Sequence, residues 1–222
     1  MAANNYWYDL LLARLGRRND TNLRDHLALE FTSATEELEL DEFLPWFLEV
    51  QGSFTSVQGQ SSYDLPTAYI RSIENQQPRV VTSDESYSLI KMPPDQFNEK
   101  YQNVNFEQIP RNFTIYNGKF WVGPAPDEAG YTLTFPYYGK TAAIPDNDQE
   151  ATNPWLINAP HVLLDQVGYR TALFYIQSEE LASRFAGSLQ NTKRKLYFQH
   201  EAREHTDMNY SDVDEFVGEN FV

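Results

Sequence analysis

Residues 113–124, FTIYNGKFWVGP, decide how this chain is read: two β-prone runs, FTIY (113–116) and KFWVG (119–123), flank the dipeptide Asn117-Gly118. A two-residue type I′ turn needs positive φ at both central positions, which Asn and Gly tolerate best, so the spacing predicts a tight β-hairpin. Downstream, Asp127-Glu128-Ala129-Gly130 marks a second turn before YTLTFPYYG (131–139), where Tyr137 and Tyr138 fall on opposite faces of a strand. Upstream, WFLEV (46–50) and SFTSV (53–57) precede a Gln58-Gly59-Gln60 turn, then SYDLPTAYIRSI (62–73), RVVTS (79–83) and YSLIK (87–91) follow. PPDQFNEKY (93–101) interrupts them with a helix start, Pro and Asp sitting near its N-terminus. The middle of the chain is thus expected to form a compact, mostly antiparallel sheet.

Outside it the period changes. YWYDLLLARLG (6–16) reads as a short helix ending at Gly16, and Asp20 or Asn22 can cap the next one. There Leu23, Leu27, Phe31, Ala34 and Leu38 recur by three and four, the stripe of an amphipathic helix closed by Pro45. Asp25, Glu30, Glu36, Glu37 and Glu39 are assigned to its solvated face. Helical spacing returns in APHVLLDQVGYRTALFYIQ (159–177), with Val162, Leu163, Val167 and Leu173 on one face. After Ser178, a good N-cap, comes a last helix over roughly 179–205 with Leu181, Phe185, Leu189 and Leu196 as its stripe. The fold class expected is α+β: a helical bundle body from both chain ends (1–44 and 153–206), a β-rich insertion (45–152) and an extended C-terminal arm (207–222).

Composition narrows the function. Of 222 residues, 41% are hydrophobic and 14% aromatic, as in a packed globular chain. Seventeen Lys and Arg against 32 Asp and Glu leave a net charge of −15, which disfavours gripping nucleic-acid phosphates. Zero Cys removes disulfides, thiol catalysis and Cys-ligated zinc. No apolar run approaches the roughly 20 residues a bilayer demands. The start places its basic cluster after a short apolar stretch, the wrong order for a secretory signal, so synthesis in the cytoplasm is expected.

Catalytic chemistry finds little support. His200-Glu201-Ala202-Arg203-Glu204-His205 resembles a metalloprotease helix, but its two His are five apart, about 140° around a helix. The run Asp146-Asn147-Asp148-Gln149-Glu150 alternates oxygen donors as a calcium loop does, yet Ala151 stands where the sharp turn needs Gly. His26 and His161 fit helix surfaces better than general bases. No cofactor, no metal and no catalytic residue is assigned, and the chain is not expected to be an enzyme. A hydrolase would require a carboxylate pair such as Glu36 with Asp146. Trp7, Trp46, Trp121 and Trp155 would form a carbohydrate platform only if they shared one exposed face; otherwise they anchor cores or interfaces.

Three stretches carry a resemblance: Gly59 to Pro66 (G-x-x-x-Y-x-LP), Phe120 to Pro126 (around WVGPAP) and Asn153 to Leu163. In this order, and over roughly residues 5–205, the chain resembles the head-to-tail adaptor proteins of tailed phages, especially short-tailed ones. The resemblance implies a structural virion protein, made in the host cytoplasm. It would form a homo-oligomeric, dodecameric ring below the portal protein, join the portal to a downstream tail or nozzle protein, and let DNA pass without specific binding or any membrane contact. It also implies a C-terminal arm reaching the portal. Residues 207–222 hold five acids and no base, too little apolar content to fold alone. Within them Tyr210, Phe216 and Phe221 are the expected anchors, and Asp212, Asp214 and Glu215 the charges that orient the arm on a basic surface. The alternative is a β-rich carbohydrate- or receptor-binding tail module.

Overall fold

The computed structural model describes residues 6–101, 106–144 and 153–204, which form a mixed α and β chain with mostly antiparallel strand pairing. These residues divide into two compact units. One is drawn from the chain before Leu48 and from Thr141 onward; the other is the continuous stretch Leu48–Lys140.

The first unit is helical. Helix α1 (Tyr6–Arg14) ends at Gly16, whose φ of +70° lets the chain turn while the Arg17 N–H reaches back to the Leu12 carbonyl. Asp20 caps α2 (Thr21–Glu39), its Oδ1 accepting the Leu23 N–H at 3.0 Å. All five residues of the expected α2 stripe are buried. A 3-10 turn (Trp46–Leu48) leads out of the unit, and α4 (Pro154–Asn158), α5 (Pro160–Thr171) and α6 (Glu179–Glu204) complete it. Helix α5 packs on α2 and α6. It meets α6 closely because Gly168 has no side chain: a Cβ there would lie 2.4 Å from the Phe185 ring.

Among its described residues the second unit holds nine short strands and a helix: β1 (Glu49–Thr55), β2 (Ser62–Asp64), β3 (Tyr69–Ser72), β4 (Arg79–Val81), β5 (Ser86–Ser88), β6 (Ile90–Lys91), α3 (Pro94–Tyr101), β7 (Asn112–Tyr116), β8 (Lys119–Gly123) and β9 (Thr132–Gly139). They form two sheets where one was expected. In the first, β9 is central, with β1 along one edge and β3 and β4 sharing the other, and β5 lies beyond β4. The second runs β2-β8-β7-β6, and its β6–β7 pair is parallel. Pro136 explains the split edge: β3 pairs with residues 137–139 and β4 with 132–134, so the residue that cannot donate to a ladder falls at the gap between them.

The hairpin forms where the sequence puts it, Asn117 and Gly118 having φ of +52° and +71° between the paired Tyr116 and Lys119. Tyr137 is buried and Tyr138 half-exposed, as alternation requires. Phe135 stacks on Phe54, Phe120 and Tyr137 with ring centroids 5.1, 5.3 and 5.0 Å away, the centre of an aromatic core.

Four further expectations are corrected. WFLEV and SFTSV are not two strands: β1 runs through Gly52, where a Cβ would meet the Phe135 ring at 2.5 Å, so the glycine is a packing site rather than a break. Glu30 and Glu39 are buried, not solvated, because each meets a donor from a distant element, Arg170 for the first and Thr141 for the second. The segment 159–177 is not one helix, since Pro160 opens α5 and a π turn (Ala172–Ile176) replaces its regular continuation. That turn also rotates Leu173, expected in the core, to an exposed position.

Candidate interaction surfaces

The residues named for portal binding, Tyr210, Asp212, Asp214, Glu215, Phe216 and Phe221, lie outside the described residues, as do His205 and the acidic loop 146–150 with its Asp146. Among the described residues no three metal-ligating side chains converge, and no helix is long and apolar enough to cross a membrane. His26 and His161 are exposed, and His26 stacks on Tyr175 at 5.0 Å. His200 is buried in an aromatic nest, edge-on to Phe43 at 5.2 Å and parallel to Trp46 at 6.3 Å. His200 thus packs within the helical unit.

The motif residues behind the family resemblance prove to be structural. Tyr63 Oη donates to the Gln60 carbonyl at 3.0 Å and accepts the Val57 N–H, closing the turn at Gly59; burial raises this phenol above its usual pKa, against the lowering effect of the Val57 bond. Asn153 is buried: its Oδ1 caps α4 through the Trp155 N–H, and its Nδ2 donates to Thr141 Oγ1 and the Ala142 carbonyl. A Cβ on Gly123 would strike the Tyr101 ring at 2.5 Å.

Charge is spent inside the helical unit. Asp165, 1% exposed, pairs with Arg14 and accepts from Ser188 Oγ at 2.6 Å and Thr192 Oγ1, so one carboxylate ties α5 to the end of α1 and to α6. Arg170 bonds Glu30 at 2.8 Å and also pairs with Glu37, fastening α5 to α2. Glu39 Oε1 accepts both the N–H and the hydroxyl of Thr141.

Two aromatic surfaces of this unit face solvent. The first is a ridge at the π turn, formed by Leu173, Phe174 (58% exposed) and Tyr175, the last stacked on His26 of α2. The second lies on the last turns of α6, where Tyr197 and Phe198 (56% exposed) are accompanied by Arg194, stacked over Phe198, and Lys195. Three consecutive large side chains, each at least 38% exposed, are unusual for a helical segment and make this a candidate contact surface. Sequence reading missed the ridge because ALFYIQ continues the helical period; its one local signal is a run, ALFYI, without a polar residue.

The β unit carries a cleft of about 330 Å³, walled by Phe97, Tyr101, Tyr116 and Trp121 with Asn98 and Glu107 at its rim. Tyr116 stacks on Trp121 at 5.1 Å and donates its hydroxyl to Asn98 at 2.9 Å, while the buried Trp121 Nε1 has no acceptor among the described residues.

No curated protein matches the chain. The family described as SU10 adaptor protein matches it over residues 6–213, nearly its whole length. The chain belongs to the SU10 adaptor protein family and is a phage adaptor protein.

Proposed function

We propose that this protein is the head-to-tail adaptor of a short-tailed phage, a structural virion component. Identical copies, twelve in the favoured reading, form a ring below the portal and connect it to the tail or nozzle. The observation that carries this reading is the family match over residues 6–213. The helices of both chain ends would make the body that builds the ring, residues 45–152 the part offered to neighbours or the next tail component, and residues 207–222 an arm toward the portal, with Tyr210, Phe216 and Phe221 as anchors and Asp212, Asp214 and Glu215 as orienting charges. A net charge of −15 repeated around a ring would repel the phosphate backbone, so DNA slides through without sticking.

Electron microscopy of the chain mixed with its portal tests this directly: a ring of density below the portal is expected, and bare portals at saturating chain would overturn it. Deleting the residues after Thr206 should leave a folded chain that no longer attaches; unchanged attachment would move the docking surface to the helices. The isolated protein should show no duplex-DNA binding at physiological salt, and a salt-sensitive micromolar shift would sink the channel argument.

One observation favours a second reading, a carbohydrate- or receptor-binding module: the cleft beside Trp121, where a stacked aromatic pair meets an amide, a carboxylate and an unsatisfied indole N–H. Quenching or shift of tryptophan emission by glycans, absent in Trp121→Phe, would support it.

A further inference from the structure

The two aromatic surfaces of the helical unit differ in charge. The ridge of Leu173, Phe174 and Tyr175 is followed in sequence by the exposed carboxylates Glu179 and Glu180, and the exposed Asp25 immediately precedes His26, which stacks on Tyr175. Arg170, which lies over Phe174, is already held by Glu30 and Glu37, and Arg24, two residues before the His26 that stacks on Tyr175, is paired with Asp9, so neither adds much positive field outward. The α6 surface is richer in cations: from 193 to 203 the helix carries Lys193, Arg194, Lys195 and Arg203 against Glu201, with the exposed Glu42 next in sequence to Phe43, whose ring packs on Tyr197. Lys193 is engaged by Asp41, and Arg203 lies over Trp46 at 4.1 Å, which leaves Arg194 and Lys195 framing Tyr197 and Phe198. From Glu179 to Phe198 the helix rises about 28 Å at about 1.5 Å per residue, so the two surfaces are separate patches rather than one.

From this we propose that the ridge at the π turn of one copy docks on the cationic, aromatic surface of α6 of a second copy, a head-to-tail contact between two unlike faces of the helical unit. The inference rests on the ring reading and assigns the faces that would build it. Two unlike faces on one unit are what a heterologous contact uses, and repeating it generates a ring when the rotation closes. A two-fold axis through either patch alone would set carboxylates against carboxylates or cations against cations, which costs affinity, and a two-fold pairing of both patches at once would stop at a dimer instead of the ladder expected below. Apolar side chains at the centre of each face and opposite charges at the rims match the anatomy of a specific interface.

The chain has no cysteine, so engineered thiols report contacts without background. Phe174→Cys and Phe198→Cys, both at exposed positions, would be treated with a short bismaleimide, at high concentration alone and again with portal present. Neither variant should cross-link to itself, their mixture should give dimer and nothing larger, and the doubly substituted chain should give a ladder of multimers. Self-cross-linking of either single variant, or no dimer in the mixture under both conditions, overturns the assignment; a Phe174→Cys product with the portal alone would give the ridge to the portal instead. Failure here is distinguishable from failure of the ring reading: rings on the portal without cross-links refute these faces only, whereas a ladder without rings supports the faces and refutes closure.

Discussion

The helical unit and the β unit bury different things. In the β unit the core is a stack of rings around Phe135, joined by Phe54, Phe113, Phe120, Tyr63 and Tyr137. In the helical unit the apolar stripes are accompanied by buried carboxylates, Asp165, Glu30 and Glu39, each meeting a donor far away in sequence. The contrast follows from chain geometry. Strand register is held by turns and alternation, so a β core needs only shape, whereas helices assembled from opposite ends of a chain can slide and rotate unless directional bonds index them.

The largest expected effect tests the ring stack. Phe135→Ala removes its centre and should cost about 3–5 kcal/mol, the usual range for a buried Phe cut to Ala. Near-ultraviolet aromatic dichroism should collapse while the helical signal at 222 nm persists; equal loss of both would mean the units do not melt as separate cores.

Asp165→Asn comes next. It strands Arg14 and two hydroxyls around a neutral amide, and breaking such a partly buried pair should cost about 3 kcal/mol. Thermal unfolding followed at 222 nm should show it, and an unchanged midpoint would show that the buried carboxylate indexes nothing. Gly168→Ala sharpens the picture of helix contact. The added methyl gains about 1 kcal/mol of helix propensity but must displace the Phe185 ring, an overpacking cost of about 1–3 kcal/mol, so a net loss of about 1 kcal/mol is expected. Adding Phe185→Leu should restore part of it; no restoration would place the cost elsewhere.

The smallest effect belongs to the hairpin tip. Gly118→Ala forces a Cβ into φ of +71° and should cost about 1 kcal/mol, with nothing sterically in the way. Shortening Tyr116–Lys119 should leave the helical dichroism nearly unchanged, although Tyr116 is lost from the stack on Trp121. A large loss at 222 nm would put the hairpin in the service of the helical unit.

Local signals accounted for the hairpin, the Asp20 and Ser178 caps, the Gly16 stop and the α2 stripe, because each is decided within four or five residues by φ, by a cap bond or by periodicity. The Ser178 hydroxyl, for instance, accepts the Leu181 N–H. The same logic misassigned Glu30 and Glu39, since an acidic residue on a helix looks solvated until a partner 140 or 102 positions away arrives. It also missed the ridge, because a π turn inserts one residue per turn without changing composition.

Sequence by itself determined that this chain alternates helical and strand segments, carries a strong negative charge, and turns and caps its elements at Asn117-Gly118, Gly16, Asp20 and Ser178. Tertiary structure alone decided that the strands divide into two sheets, that Pro136 splits an edge of the first, that Asp165 is a buried tie, and that Phe174 and Phe198 stand in solvent on oppositely charged faces. The physical reason is range: caps, turns and periodicity are local energies written in neighbouring residues, whereas burial, ion pairing and exposure depend on which distant element comes to lie against each side chain.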